Sequence, residues 1–168
     1  MKAQVSVIMG SDSDWSVVKK AVDILDEFGI NSDVKILSAH RTPDKIREYV
    51  KYAEENCVKV FIGAAGKAAH LPGVIASLTT CPVIGLPIKS SLAGGLDSLL
   101  SIVQMPSGIP VATVAIDGAE NAALLCIQIL SITESTLREK LKLHRKDMEN
   151  AIEEKNKCLQ NQIIEKEI

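Results

Sequence analysis

Within Ser38-Ala39-His40-Arg41-Thr42-Pro43 a titratable imidazole stands next to a guanidinium, directly after an apolar run. Histidine's reference pKa of about 6.5 suits proton exchange near neutrality, and arginine can grip a phosphate through two donors at once. His40 and Arg41 are therefore expected to work on a ligand, and Ser38, which opens the loop, is counted among the ligand contacts. A second loop, Gly10-Ser11-Asp12-Ser13-Asp14, offers the hydroxyls of Ser11 and Ser13 and, where a helix begins, free backbone N–H groups that hold phosphate or ribose. Ser and Asp also cap helices, so the same residues suit a plain strand-to-helix turn. Asp14 would repel a phosphate and better fits a sugar hydroxyl or a base amine.

A third loop runs from Gly63 to His70, and its Gly66 and Ala68 are small enough for backbone to approach a flat ligand. Lys67 either adds a phosphate contact or points to solvent, while His70, before Leu71, is either a site residue or a hydrogen-bonded core histidine. Ser90 to Ser98 contains Gly94-Gly95 amid hydroxyls, as a mobile flap or an ordinary surface loop would. Ile116-Asp117-Gly118 closes a fifth apolar run. The lysine of a P-loop, the glycine spacing of a dinucleotide fingerprint and a Gly-x-Ser-x-Gly elbow do not occur.

These loops need a frame that brings them together. Val5–Met9, Val34–Leu37, Val58–Ile62, Pro82–Leu86 and Val111–Ile116 are short, apolar and rich in Val and Ile, as strands buried on both faces are. Trp15, Val18, Val22, Leu25 and Phe28 recur at helical spacing, with Gly29 as the stop. A second helix starts at Pro43 and runs to Asn56, and others fall around Pro72–Thr79, Leu96–Val103 and Asn121–Leu130. Strands alternating with helices imply a doubly wound α/β fold, whose parallel strands gather the loops at one sheet edge. Beyond the core (1–132), the segment 133–168 carries Leu137, Leu141, His144, Met148, Ala151 and Cys158 as an apolar stripe on a charged helix. That stripe covers either the chain's own flank or a neighbouring subunit.

With 168 residues, 46% of them hydrophobic and 24% charged, the chain suits one folded domain. A net charge of −2 and 3% aromatic residues offer no basic face or stacking platform, so nucleic acid is excluded as a partner and a small phosphorylated ligand is not. Cys57, Cys81, Cys126 and Cys158 lack the paired spacing of a zinc site or a redox dithiol, and read as small buried thiols. Met1-Lys2-Ala3-Gln4 leads straight into the first strand without a signal peptide, and no segment is apolar enough to span a membrane, so the expected compartment is the cytoplasm.

Taken together, Met9–Trp15, Ser38–Pro43, Ala68-Ala69-His70-Leu71-Pro72-Gly73, Gly95–Leu99 and Ser101-Ile102-Val103-Gln104-Met105-Pro106 closely resemble one family. It is the class I 5-(carboxyamino)imidazole ribonucleotide mutases of bacterial purine biosynthesis, the PurE family. The resemblance implies a flavodoxin-like three-layer fold and a homo-octamer. It also implies transfer of a carboxylate from the exocyclic nitrogen to carbon 4 of an aminoimidazole ribonucleotide, without metal or organic cofactor. On the matching positions, Ser11, Asp14 and Arg41 would bind substrate, His40 would serve as acid and base, and Ala68–Gly73 would help enclose the imidazole and the migrating carboxyl group.

Ala64 and Lys67 depart from the family's pattern by replacing glycines, so any positive φ there is expected to be strained. Two other readings stand beside the mutase: a class II aminoimidazole ribonucleotide carboxylase that uses free carbon dioxide, and a non-catalytic flavodoxin-like nucleotide-binding module. His70-Leu71-Pro72-Gly73 favours class I, and the lack of Phe, Tyr or Trp within the first and third loops argues against a flavin.

Overall fold

The computed structural model describes residues 3–164. Met1 and Lys2, read above as leading into the first strand, and residues 165–168 of the tail lie outside the described residues. The chain divides into two compact units, Met1–Leu130 and Ser131–Ile168. The first contains strands β1 (Val5–Met9), β2 (Ser32–Ile36), β3 (Val60–Gly66), β4 (Val83–Ile88) and β5 (Ala112–Thr113). They alternate with helices α1 (Trp15–Glu27), α2 (Pro43–Glu55), α3 (Leu71–Ala76), α4 (Leu96–Val103) and α5 (Ala119–Leu130). All strand pairs are parallel, in the order β2-β1-β3-β4-β5, which is the doubly wound, flavodoxin-like arrangement with its switch point between β1 and β3.

Helices cover both faces because alternate strand residues point to opposite sides. On one face Ile8 and Phe61 of the sheet pack with Ile46 and Val50 of α2, Leu71 and Ile75 of α3 and Ile102 of α4. On the other, α1 and α5 lie against each other and bury Val18, Ala21, Leu25, Ala122, Cys126 and Ile127. Under the first layer, Tyr49 of α2 donates its phenol proton to Asp33 Oδ2 at 2.9 Å and lies 2.8 Å from the fully buried Ser6 hydroxyl. Burial, with Asp33 adding to it, holds that phenol in its neutral form well above the ordinary range.

Several boundaries differ from the sequence expectation. The second strand starts two residues early and is an edge strand, with Lys35 and Ile36 exposed, so it is not buried on both faces. The fifth is the opposite edge and is regular only at Ala112–Thr113. Residues Gly63 to Gly66, read as loop, extend β3 by pairing with Gly85 to Ile88 of β4, and α3 crosses above Gly63, where a Cβ would meet Pro72 Cα at 3.1 Å and Ile75 Cδ1 at 3.1 Å. Smallness at Gly63 therefore serves helix packing rather than a ligand. The cysteines are all free, and only Cys126 is fully buried, its thiol pushed up to about 12; Cys57 and Cys158 are exposed and Cys81 partly so. In the second unit, α6 (Ser135–Ile164) is one continuous helix.

Candidate active site

At the carboxyl ends of β1 to β4 the loops surround an open cavity of about 510 Å³. Its first wall is the turn after β1. Ser11 caps a short 3-10 turn over Asp12–Asp14, its Oγ accepting from the Ser13 N–H at 3.3 Å, so the bland capping role is real and coexists with a place on the cavity wall. Ser13 Oγ lies 2.9 Å from Ser11 Oγ and 3.1 Å from Asp14 Oδ1, which leaves its single proton for one or the other. Asp14 is only 8% exposed. Burial pushes its pKa up, and the hydrogen bonds from Ser13 and at Ser11 only partly oppose this.

The loop after β2 is closed on itself by Thr42, whose N–H and Oγ1 both donate to the Ser38 carbonyl, at 2.9 and 3.1 Å, while the Ser38 N–H donates to Thr42 Oγ1 at 3.0 Å. Inside that closed turn, Ser38 Oγ accepts from the Arg41 backbone N–H at 3.2 Å and from Arg41 Nε at 3.3 Å. Arg41 Nη2 donates to the Gly10 carbonyl at 3.0 Å, which ties the second loop to the first. Ser38 thus aims Arg41 as well as lining the cavity. The rest of the guanidinium is left for a ligand, and among the described residues no carboxylate is bonded to it.

Across the β1/β3 crevice, His40 Nε2 lies 2.9 Å from His70 Nδ1, with the rings edge to face at 70°. A bond between two ring nitrogens needs one bearing a proton and one without. Each ring thus spends one nitrogen on the other and keeps its second, His40 Nδ1 and His70 Nε2, for a further partner. His70 is exposed on the cavity wall and is not a core histidine. Tight turns from Ala69 N–H to Lys67 O and from His70 N–H to Ala68 O, each 2.9 Å, carry the chain from β3 into α3.

All of the residues expected from the sequence, His40, Ser11, Ser13, Asp14, Ser38, Arg41, Gly66, Lys67, Ala68, His70 and Leu71, line this cavity. Leu71 does so as a core residue, 2% exposed. Lys67 takes φ 56°, whereas Ala64 lies in extended β3; the strain expected at two glycine replacements falls on one. Of the expected flap only Ser90 reaches the cavity, and its hydroxyl is bound to Asp97 Oδ1 at 2.6 Å. Lys89, which the sequence reading passed over, also lines the cavity. Asp117 stands behind it: its N–H donates to the Pro87 carbonyl and its Oδ1 accepts from the Lys89 N–H, both at 2.8 Å.

Strand order and site together define a doubly wound α/β protein whose switch point holds a polar, cationic ligand cavity with a histidine pair. Comparison with known proteins narrows this. The AIR carboxylase family matches residues 4–151, and the chain belongs to that family. It is 60% identical over 159 residues to the N5-carboxyaminoimidazole ribonucleotide mutase of Pyrococcus horikoshii, covering 95% of this chain and 90% of that one. It is 53% identical over 157 residues to the mutase of the same name from Thermotoga maritima, covering 94% and 92%. The crystal structure of Treponema denticola PurE superposes with a TM-score of 0.83 at 31% identity, covering 89% of this chain and 94% of that one.

Proposed function

We propose that the chain is an N5-carboxyaminoimidazole ribonucleotide mutase, an isomerase of purine biosynthesis that moves a carboxylate from the exocyclic nitrogen to carbon 4 of the imidazole. The observation that carries this reading is the His40–His70 pair across the switch-point crevice, with Ser13, Asp14 and Arg41 on the same cavity. Relatives of that name at 53 to 60% identity over almost the whole chain support it.

In this reading His40 protonates the carbamate nitrogen, and the C–N bond breaks to release carbon dioxide and aminoimidazole ribonucleotide. The electron-rich carbon 4 then attacks the carbon dioxide, and His40 takes back the proton that carbon 4 loses. The proton is returned, so the reaction is an isomerisation. Arg41, Ser11 and Ser13 hold the phosphate, Asp14 accepts from the ribose, and Gly66, Ala68 and Leu71 present backbone and apolar surface to the imidazole and the released gas. Holding both fragments in one cavity makes recapture effectively intramolecular. Further parts of the proposal are a homo-octamer and a cytoplasmic location; no described helix is long and apolar enough to cross a membrane.

His40→Asn tests it, because asparagine keeps a hydrogen bond but cannot shuttle a proton. Turnover should fall about 10²–10⁴-fold with calorimetric affinity for the nucleotide within a few-fold of the parent. Turnover within about threefold of the parent removes His40 from the chemistry.

A further inference from the structure

Two lysines follow the ends of neighbouring strands on the cavity wall for a topological reason. Gly66 of β3 and Ile88 of β4 are register partners at the ends of neighbouring parallel strands, and the residues that follow are Lys67 and Lys89. Both line the cavity. Neither ammonium has a partner among the described residues. The wall's carboxyl, Asp14, is buried beside Ser13 in the loop after β1, two strands away from β4 in the sheet order.

The backbone at Lys67 is held in a costly shape. Lys67 occupies φ 56°, where glycine sits freely and an L side chain does not. Asp117, also at φ 56°, spends its carboxylate on the Lys89 N–H and its own N–H on Pro87, which fixes the strand end that carries Lys89. Both side chains are exposed, so water screens the two charges, and an anion held between them would gain from both. A second cationic pole, Arg41, is bonded to Gly10 beyond β1, on the far side of the β1/β3 crevice. With strands about 4.8 Å apart, the ends of β1 and β4, which lead to Gly10 and Lys89, are roughly 10 Å apart, and the histidine pair bridges the crevice.

We infer that Lys67 and Lys89 form a second anion subsite, which takes the carboxylate of a ligand whose phosphate lies at the Arg41 pole. The inference rests on the proposed mutase reading and deepens it: the cavity selects a nucleotide carrying two anionic groups over its decarboxylated form. Such a preference would keep carboxylated substrate and product in the site and let the decarboxylated nucleotide compete poorly.

Calorimetry with two compounds tests it: aminoimidazole ribonucleotide, which has only the phosphate, and its 4-carboxylated counterpart. The proteins are the parent, Lys67→Gly, Lys89→Gln and the double variant; glycine at 67 suits the observed φ, and glutamine at 89 leaves the backbone bond to Asp117 intact. The double variant should lose about tenfold or more in affinity for the carboxylated nucleotide and less than threefold for the other, as expected for losing charge-assisted contacts to one carboxylate. Equal loss for both compounds, or loss for neither, overturns the subsite. Should Lys67→Gly not fold, Lys89→Gln alone decides, by a selective loss or its absence. A parent protein that binds neither nucleotide defeats the mutase reading instead, and the two failures are thereby distinguished.

Discussion

Burial works against ionisation of Asp14, and this has a consequence for stability. A carboxyl whose pKa is raised in the folded chain holds its proton more tightly there than in the unfolded chain. Stability from this group is therefore greatest at acid pH and is lost as pH rises from the ordinary carboxylate range through the raised value. Asp14→Asn removes that loss while keeping an oxygen to accept from Ser13, so the variant should be more stable than the parent at pH 7 and lose the advantage near pH 4. Urea midpoints at the two pH values check this; a variant less stable than the parent at both denies that burial dominates at Asp14. Much of the cavity was legible at this scale, because its residues lie within a few positions of an apolar run and bear hydroxyl, imidazole or guanidinium groups. Lys89 was not, since its closeness to Lys67 depends on the Gly66–Ile88 register. Nor could residue types alone assign the strain to Lys67 and spare Ala64.

Among the elements, α1 and α2 end in the same way with different residues. After α1, Ile30 N–H donates to Leu25 O and Gly29 N–H to Asp26 O, with Gly29 at φ 79°. After α2, Val58 N–H donates to Ala53 O and Cys57 N–H to Glu54 O, with Cys57 also at φ 79°. Both are Schellman endings, and the left-handed position is free for glycine but strained for cysteine. Cys57→Gly should thus stabilise the chain by about 1 kcal/mol, read as a higher urea midpoint at unchanged slope. No gain, or a loss, would show that Cys57 makes compensating contacts. Helices with clear periodicity and caps were readable from sequence. Strand ends were not: Ser32-Asp33 looks polar yet pairs with β1, Asp33 being engaged by Tyr49 and Lys35. Gly63–Gly66 has poor strand propensity and is extended because it pairs with Gly85 to Ile88 of β4, with Gly63 leaving room for α3.

At the scale of the whole molecule, α6 stands out because every residue from 145 to 163 is exposed. Met148, Ile152, Leu159 and Ile163 recur at intervals of four and seven, within an arc of roughly 60° at 100° per residue. The sequence reading had placed the stripe through Ala151 and Cys158 and missed Ile152, Leu159 and Ile163. An exposed seam of this kind suits contact with another copy of the chain. Truncation after Ile132 should weaken the proposed octamer and leave the Met1–Leu130 unit folded. Light scattering with circular dichroism checks it: a monomeric full-length chain denies the octamer, and an unaltered octamer after truncation denies the tail's part in it. The proposed reaction moves a carboxylate already on the substrate. Product formation by the purified protein from N5-carboxyaminoimidazole ribonucleotide, set against aminoimidazole ribonucleotide with bicarbonate, tests it most directly. Rapid conversion of the first alone is predicted, and conversion of the second alone, or of neither, would contradict it.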